Sequence, residues 1–241
     1  MNIGRIGFDN ISKQDNEKSA VLGTLVCAMA FLLMIGSAVT GFADPVDFDS
    51  KSPLTTLGVQ EKEVSIGNLV ADAVRRTGGA RVAFVAASEL KEIREQIPAG
   101  RVSSERITDL LSYPDEPVVV ISLTGANIQA ALERSVSSHP RKSLGFLQVS
   151  GIKFEFDPKA AVGRRIVRVT VGDQPLVAER VYEVAMNRSL AQGALGYWRI
   201  WGKKNDMARE TNVSTAKAVE TFLAQAKNVD YSKADRIVRR P

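Results

Sequence analysis

Hydrophobic and polar positions fall into three textures along this chain. From Ala20 to Ala43 there is no charged side chain, and the large apolar residues are interrupted only by small ones. Beyond Glu63, apolar positions first recur at helical spacing. Ile66, Leu69, Val70 and Ala73 share one face of a helix that Ser65 opens as N-cap and Gly78-Gly79 closes. Val82 to Val85 reads as a short strand, and Ser103 or Ser104 opens a helix carrying Ile107, Leu110 and Leu111. The β-branched run from Pro117 to Leu123 predicts a strand buried on both faces. Thr124 caps a further helix, whose inner face is Ile128, Ala131 and Leu132. From Phe146 the pattern becomes extended: Phe146–Val149, Ile152–Phe156, Arg165–Val171 and Val181–Met186 read as strands, with turns at Asp157-Pro158 and Gly172-Asp173. A last amphipathic helix runs from about Ser214 to Ala226. Helices interleaved with strands, followed by hairpins, predict an α+β single domain with a mixed sheet packed by helices.

The uncharged run changes the picture of where this domain works. Arg5, Lys13 and Lys18 precede it, and Gly41-Phe42-Ala43 sets small residues at the two positions that a signal peptidase reads. The expectation is a signal peptide over 1–43, cut after Ala43, or else an uncleaved membrane anchor formed by residues 20–43. Either delivers the remainder to a periplasmic or other extracytoplasmic site, with membrane contact only through the uncleaved segment. Residues 44–59, polar and Pro-containing, read as a linker, and 60–241 as the domain.

Composition then excludes several function classes. The net charge is +5, but Lys and Arg are scattered among Asp and Glu with no run longer than two, so no nucleic-acid partner is expected. The one cysteine, Cys27, lies in the apolar run, leaving the mature part without thiol chemistry. The one histidine, His139, reads as a solvent-facing loop residue; one imidazole is too few for the two-metal sites of phosphoesterases, and a Ser-His-Asp triad has no support. No metal or other cofactor is expected in the chain itself, and an autonomous hydrolase is the weakest reading.

Several strings, taken in order, resemble a known family. They are Glu63-Val-Ser-Ile-Gly-Asn-Leu-Val-Ala-Asp-Ala73, Ile97-Pro-Ala-Gly100, Val118-Val-Val-Ile-Ser-Leu-Thr-Gly125 with Leu132-Glu133, and Phe146-Leu-Gln-Val-Ser-Gly151. Tyr182-Glu-Val-Ala, Leu190-Ala-Gln-Gly193 and Asp235-Arg-Ile237 follow. Together they resemble the C-terminal, substrate-binding domain of the 5′-nucleotidase family from Glu63 to Ile237. That resemblance implies a domain that clamps a nucleotide or nucleoside, while two metal ions and bond breaking belong to a separate metallophosphatase domain. A metallophosphoesterase chain is then the expected partner. Gly67, Asn68, Asp72, Gly125 and Gly151 are expected to maintain the fold.

The resemblance carries over unevenly at the clamp. Arg94 matches the signature arginine, but the two glycines before it match Lys91 and Glu92, and an asparagine matches Glu89. The arginine ahead of the first helix matches Gln60. One stacking ring aligns with Pro114, next to Tyr113; the other aligns with Ser189. The ribose carboxylate aligns with Leu195, two residues before Tyr197. Arg94, Tyr113 and Tyr197 are therefore the expected substrate contacts, with no catalytic residue. Losing one or both rings removes about 1–6 kcal/mol of base stacking. The chain is expected to be a substrate-binding part of a metallophosphatase, not catalytic alone. The alternative is a non-enzymatic envelope binding or interaction module with a repurposed cleft.

Overall fold

A computed structural model of the chain describes residues 46–202, 208–233 and 235–241. The apolar run and the expected cleavage site lie outside them. Among the described residues no helix is long and apolar enough to cross a membrane. In chain order the strands of the first half are β1 (Asp47–Ser50), β2 (Val82–Ala86), β3 (Gly100–Ser103), β4 (Pro117–Thr124), β5 (Leu147–Ser150) and β6 (Ile152–Phe156). Those of the second half are β7 (Ile166–Val171), β8 (Gln174–Pro175), β9 (Val181–Asn187), β10 (Arg209–Ser214), β11 (Asn228–Val229) and β12 (Ile237–Arg239). The α-helices are α1 (Ser65–Gly78), α2 (Ser104–Thr108), α3 (Gly125–Val136), α4 (Arg188–Ala191), α5 (Trp198–Trp201) and α6 (Thr215–Ala226).

The principal sheet has the order β10-β4-β9-β2-β5. Only β2 and β9 run parallel; the other pairs are antiparallel. α1 packs on β2, β5 and β9, and α6 packs in turn on α1 and α2. Residues Val118–Ile121 and Leu123 are buried, as the β-branched run predicts. Two smaller sheets, β12-β6-β7-β8 and β11-β1-β3, flank it. The α+β architecture is the expected one.

Three local readings need correction. Residues 46–59 are not a linker. β1 pairs with β3 and β11, while Leu54 and Val59 are fully buried, Leu54 bridging to Ile97. Alternate residues of Asp-Phe-Asp-Ser point inward and outward, a signal too short to separate from polar coil. Ser65 is also not the cap of α1. That position falls to Val64, and the Ser65 hydroxyl accepts from Thr55 N at 2.7 Å, fastening the preceding segment to the helix. His139 does not face solvent. It is 8% exposed, its ring edge-on to Phe156 at 5.3 Å. Burial, then the nearby Arg239 and Arg165 cations, hold its pKa below the ordinary imidazole value.

A buried polar network ties α1 to both ends of the domain. Gln148 donates to Val59 O (3.1 Å) and Lys62 O (2.8 Å) and accepts from Val64 N (3.0 Å). A Cβ at Gly67 would lie 2.5 Å from the Gln148 Oε1, so only glycine admits this amide. Glu63 accepts from Asn68 Nδ2 (2.6 Å) and from the backbone N–H groups of Arg236 and Ile237 (2.9 Å each). Asp72 takes both guanidinium nitrogens of Arg236 (2.8 and 2.9 Å), the Ser150 hydroxyl (2.5 Å) and the Tyr231 phenol (2.9 Å). Burial works to raise the Asp72 pKa; the Arg236 hydrogen bonds and charge, aided by Ser150 and Tyr231, outweigh it and hold it below 3.8. Gly151 has φ +72°, and a Cβ there would meet Arg81 O at 2.0 Å; at Gly125 one would meet Val177 O at 2.1 Å. Thus Gly67, Asn68, Asp72, Gly125 and Gly151 are held by packing and hydrogen bonding, as expected of fold-maintaining positions.

Arg236 is replaceable in size but not in charge. An Arg236→Met variant leaves Asp72, only 18% exposed, as an unpaired carboxylate. The expected loss is about 3 kcal/mol in urea unfolding, with part recovered in the Asp72→Asn/Arg236→Met double variant.

Candidate functional site

The principal sheet ends in a cavity of about 380 Å3. It opens where β2 and β9 finish and their antiparallel neighbours β4 and β5 begin, so four strand ends converge on it. β2 runs into a 3-10 turn over Ala87–Glu89. That turn is fastened on one side by Ala87 N to Phe146 O (2.8 Å) and Ser88 N to Leu144 O (3.0 Å). On the other side Ser112 N donates to Glu89 O (2.8 Å), bringing Tyr113 to the rim. Glu116, just before β4, is fixed through its carbonyl, which accepts from Thr215 at the start of α6 (2.9 Å).

Asn187 ends β9 and does two things. Its Oδ1 caps α4 through Leu190 N (2.9 Å), and its Nδ2 donates to the Glu116 carboxylate (2.9 Å). Ser189 N donates to the other Glu116 oxygen (2.7 Å). Beyond α4, Gly193 has φ +89°, and a Cβ there would lie 2.4 Å from that of Trp198, so both the backbone and the packing call for glycine. Leu195 is left-handed at φ +58°, a strained conformation for a side chain with a Cβ. The Arg134 guanidinium holds its carbonyl from outside the cavity.

The lining is therefore Ala86, Ser88, Leu144, Leu190 and Ala194, together with Glu89, Glu116, Asn187, Tyr113, Ser189 and Leu195. Glu89 is 4% exposed, and its Oε1 accepts from Ala86 N at 2.8 Å. Its pKa is pushed up to about 8: burial dominates, the Ala86 N–H works against it, and the Glu116 charge adds to it. At neutral pH this carboxyl is protonated. Among the described residues no Lys, Arg or His lines the cavity.

Of the positions that the resemblance aligns with the family's clamp, Glu89, Ser189 and Leu195 line this one cavity, as does Tyr113 beside the aligned Pro114, while Gln60, Arg94 and Pro114 itself do not. The expected contacts fare differently. Tyr113 is 57% exposed at the rim. Arg94 lies on an exposed loop, outside the lining. Its neighbours there are engaged elsewhere: Glu92 accepts from Gly58 N (2.9 Å) and pairs with Lys142 (2.9 Å), and Lys91 donates to Asp109 O (2.8 Å). Tyr197 is not a cavity residue. It is fully buried, stacked on Trp201 at 4.9 Å, with its hydroxyl donating to Gly145 O at 2.7 Å. Leu195 in its left-handed turn faces the cavity, and the chain then turns Tyr197 into the core.

Glu116 and Asn187 escape the sequence reading. Glu116 precedes an apolar strand as any solvated residue would, and only the pairing of Val118 opposite Asn187 brings the two together. Elsewhere, a cavity of about 310 Å3 is lined by Asp72 and Arg236, whose charges already serve the network described above, and by Arg75, which donates to the Ser150 hydroxyl at 2.8 Å. Among the described residues no group of three or more His, Cys, Asp or Glu side chains is placed to hold a metal ion, so no step is assigned to one here.

Comparison with known proteins agrees with the fold. A family model described as the 5′-nucleotidase C-terminal domain matches residues 39–200. An apyrase of Aedes albopictus is 27% identical over 242 residues, covering 96% of this chain and 40% of that protein. A 5′-nucleotidase precursor from Thermus thermophilus superposes with a TM-score of 0.70 at 28% identity, over 93% of this chain and 43% of that one. The NAD nucleotidase of Haemophilus influenzae, at 17% identity and TM-score 0.67 over 80% of this chain and 38% of that one, shares the fold. The chain belongs to the 5′-nucleotidase C-terminal domain family. It spans about two fifths of the length of the apyrase and of the Thermus nucleotidase.

The buried acid has a measurable signature. Folding raises the Glu89 pKa from 4.5 to about 8, so the folded state holds a proton that the unfolded chain releases over that interval. Its contribution is complete below 4.5 and is lost as pH rises through about 8. Glu89→Gln keeps an acceptor for Ala86 N and cannot ionise. Its melting temperature relative to the parent is expected to rise steadily across that window, ending above the parent on the alkaline side.

Proposed function

We propose that this chain supplies the substrate-binding side of a nucleotidase-type metallophosphatase in nucleotide catabolism, exported from the cytoplasm and not catalytic alone. The observation that carries this reading is the convergence of positions 89, 113, 189 and 195 on one cavity of suitable size for a small ligand. Family membership supports it, and a metallophosphoesterase partner would supply the metal ions and the attack on phosphate. The chain's own part is to hold the nucleoside end, with Tyr113 as the ring available for stacking.

A second reading, a binding or interaction module with a repurposed cleft, is favoured by the residues at those same positions. One ring of the expected pair is a serine, the ribose carboxylate is a leucine, and two carboxyl groups line the space. Both readings share the cavity and differ in its occupant.

Calorimetric titration of the purified domain separates them. On the first reading adenosine binds weakly, with Kd of about 0.1–10 mM given the lost stacking, and AMP releases no inorganic phosphate without a partner. Absence of any nucleoside binding favours the second reading. Phosphate release by the rigorously purified domain alone rejects both. For export, mass measurement of protein recovered from the envelope fraction is expected to give a mature chain beginning at Asp44. A chain that retains Met1 rejects cleavage in favour of an anchor.

A further inference from the structure

We propose that the cavity at the end of the principal sheet binds a flat organic cation of the amidinium type, whose paired N–H donors meet the Glu89 carboxylate. The inference rests on the reading above only in taking this cavity as the ligand cleft. It differs in naming the chemistry that the cleft selects.

Three features of the lining point there. The first is the state of the two carboxyl groups. Glu116 has its oxygens taken by Asn187 Nδ2 and Ser189 N. Glu89 is engaged at Oε1 by a single backbone N–H, while Oε2 meets no donor among the described residues, although the residue is only 4% exposed and lines the cavity. Glu89 Oε2 is thus a carboxyl oxygen of the lining that a ligand N–H can meet without displacing a protein donor.

The second feature is charge. Besides Glu89, the lining holds Glu116 and the Tyr113 phenol as titratable groups, and no cationic side chain among the described residues. An anion entering it would face Glu116 with nothing to pair against; a cation would be attracted by the Glu116 charge, and by Glu89 once its proton has left. The third is shape: Leu144, Leu190 and Leu195 supply apolar walls suited to a planar body. The amidinium geometry, two N–H groups on one carbon, suits a carboxylate edge as the guanidinium of arginine does.

Binding is an exchange. In the empty cavity the Glu89 carboxyl carries a proton; the cation displaces it, and the proton leaves to solvent. The carboxylate so formed pairs with the ligand, and no other covalent bond changes. Affinity is therefore expected to rise by about tenfold per pH unit up to about pH 8 and to level off above it.

The test is calorimetry of the purified domain with benzamidine, with benzoate as its anionic counterpart of similar shape, and with adenosine. The inference predicts benzamidine binding with proton release, no benzoate binding at the same concentrations, and at least a tenfold loss in Glu89→Gln. Benzoate binding as well as benzamidine, or a Glu89→Gln variant of unchanged affinity, overturns it. Adenosine binding without benzamidine binding also overturns it, while leaving the nucleoside reading of the cavity intact. If none of the three binds, the inference is overturned together with the nucleoside reading of the cavity.

Discussion

The structure depends on one bidentate ion pair, Arg236 with Asp72, and on the hydrogen bonds gathered around it. Asp72 sits on α1, which covers the principal sheet; Arg236 immediately precedes β12, which completes a smaller one. Ser150 and Tyr231 attach to the same carboxylate, and Glu63 holds the adjoining backbone. Each charged group is mostly hidden from solvent, so their attraction is little weakened by water or salt. Removing Arg236 or Asp72 leaves the other charge without its ionic partner in a mostly buried position. The pair thus fixes the orientation of α1, and α1 in turn fixes β2 and β9, whose ends build the cavity.

This explains why most of the fold is legible in the residues and much of the cavity is not. Gly67, Asn68, Asp72, Gly125 and Gly151 can be singled out because each stands in a recognisable string, and each proves to have a local reason: a close approach, a left-handed turn or a buried hydrogen bond. Long periodic elements such as α1, β4 and α6 are visible for the same cause, since burial of one face or both imprints a pattern. β1, β10 and β11 are not. They are short, largely polar strands whose existence depends on partners far away in the chain, Asp49 on Asn228 and Arg209 on Val120.

The cavity divides along a similar line. Alignment with a known family points to Glu89, Ser189, Leu195 and, beside the aligned Pro114, Tyr113, but points equally to Arg94 and Gln60, which lie outside the lining, and says nothing about what the replacements do together. Tyr197 shows the hazard. Two residues from a lining position and aromatic, it suits a stacking role in one dimension, yet the left-handed turn at Leu195 sends it inward onto Trp201. Conversely Glu116 carries no signal of its own. Its place is set by Asn187, Ser189 and Thr215, none of them near it in sequence. Charge at this site is a property of four converging strand ends and is invisible along any one of them.

The pairing of β11 with β1 joins residues near the two ends of the described domain, and that of β12 with β6 brings the last strand back to the middle of the chain. A growing polypeptide therefore cannot close the first of these sheets before residue 229 is made, or the second before residue 239. Until then Asp72 and Glu63 lack the groups that neutralise and anchor them. Closure of these sheets is a long-range step, which the entropy of joining remote segments slows.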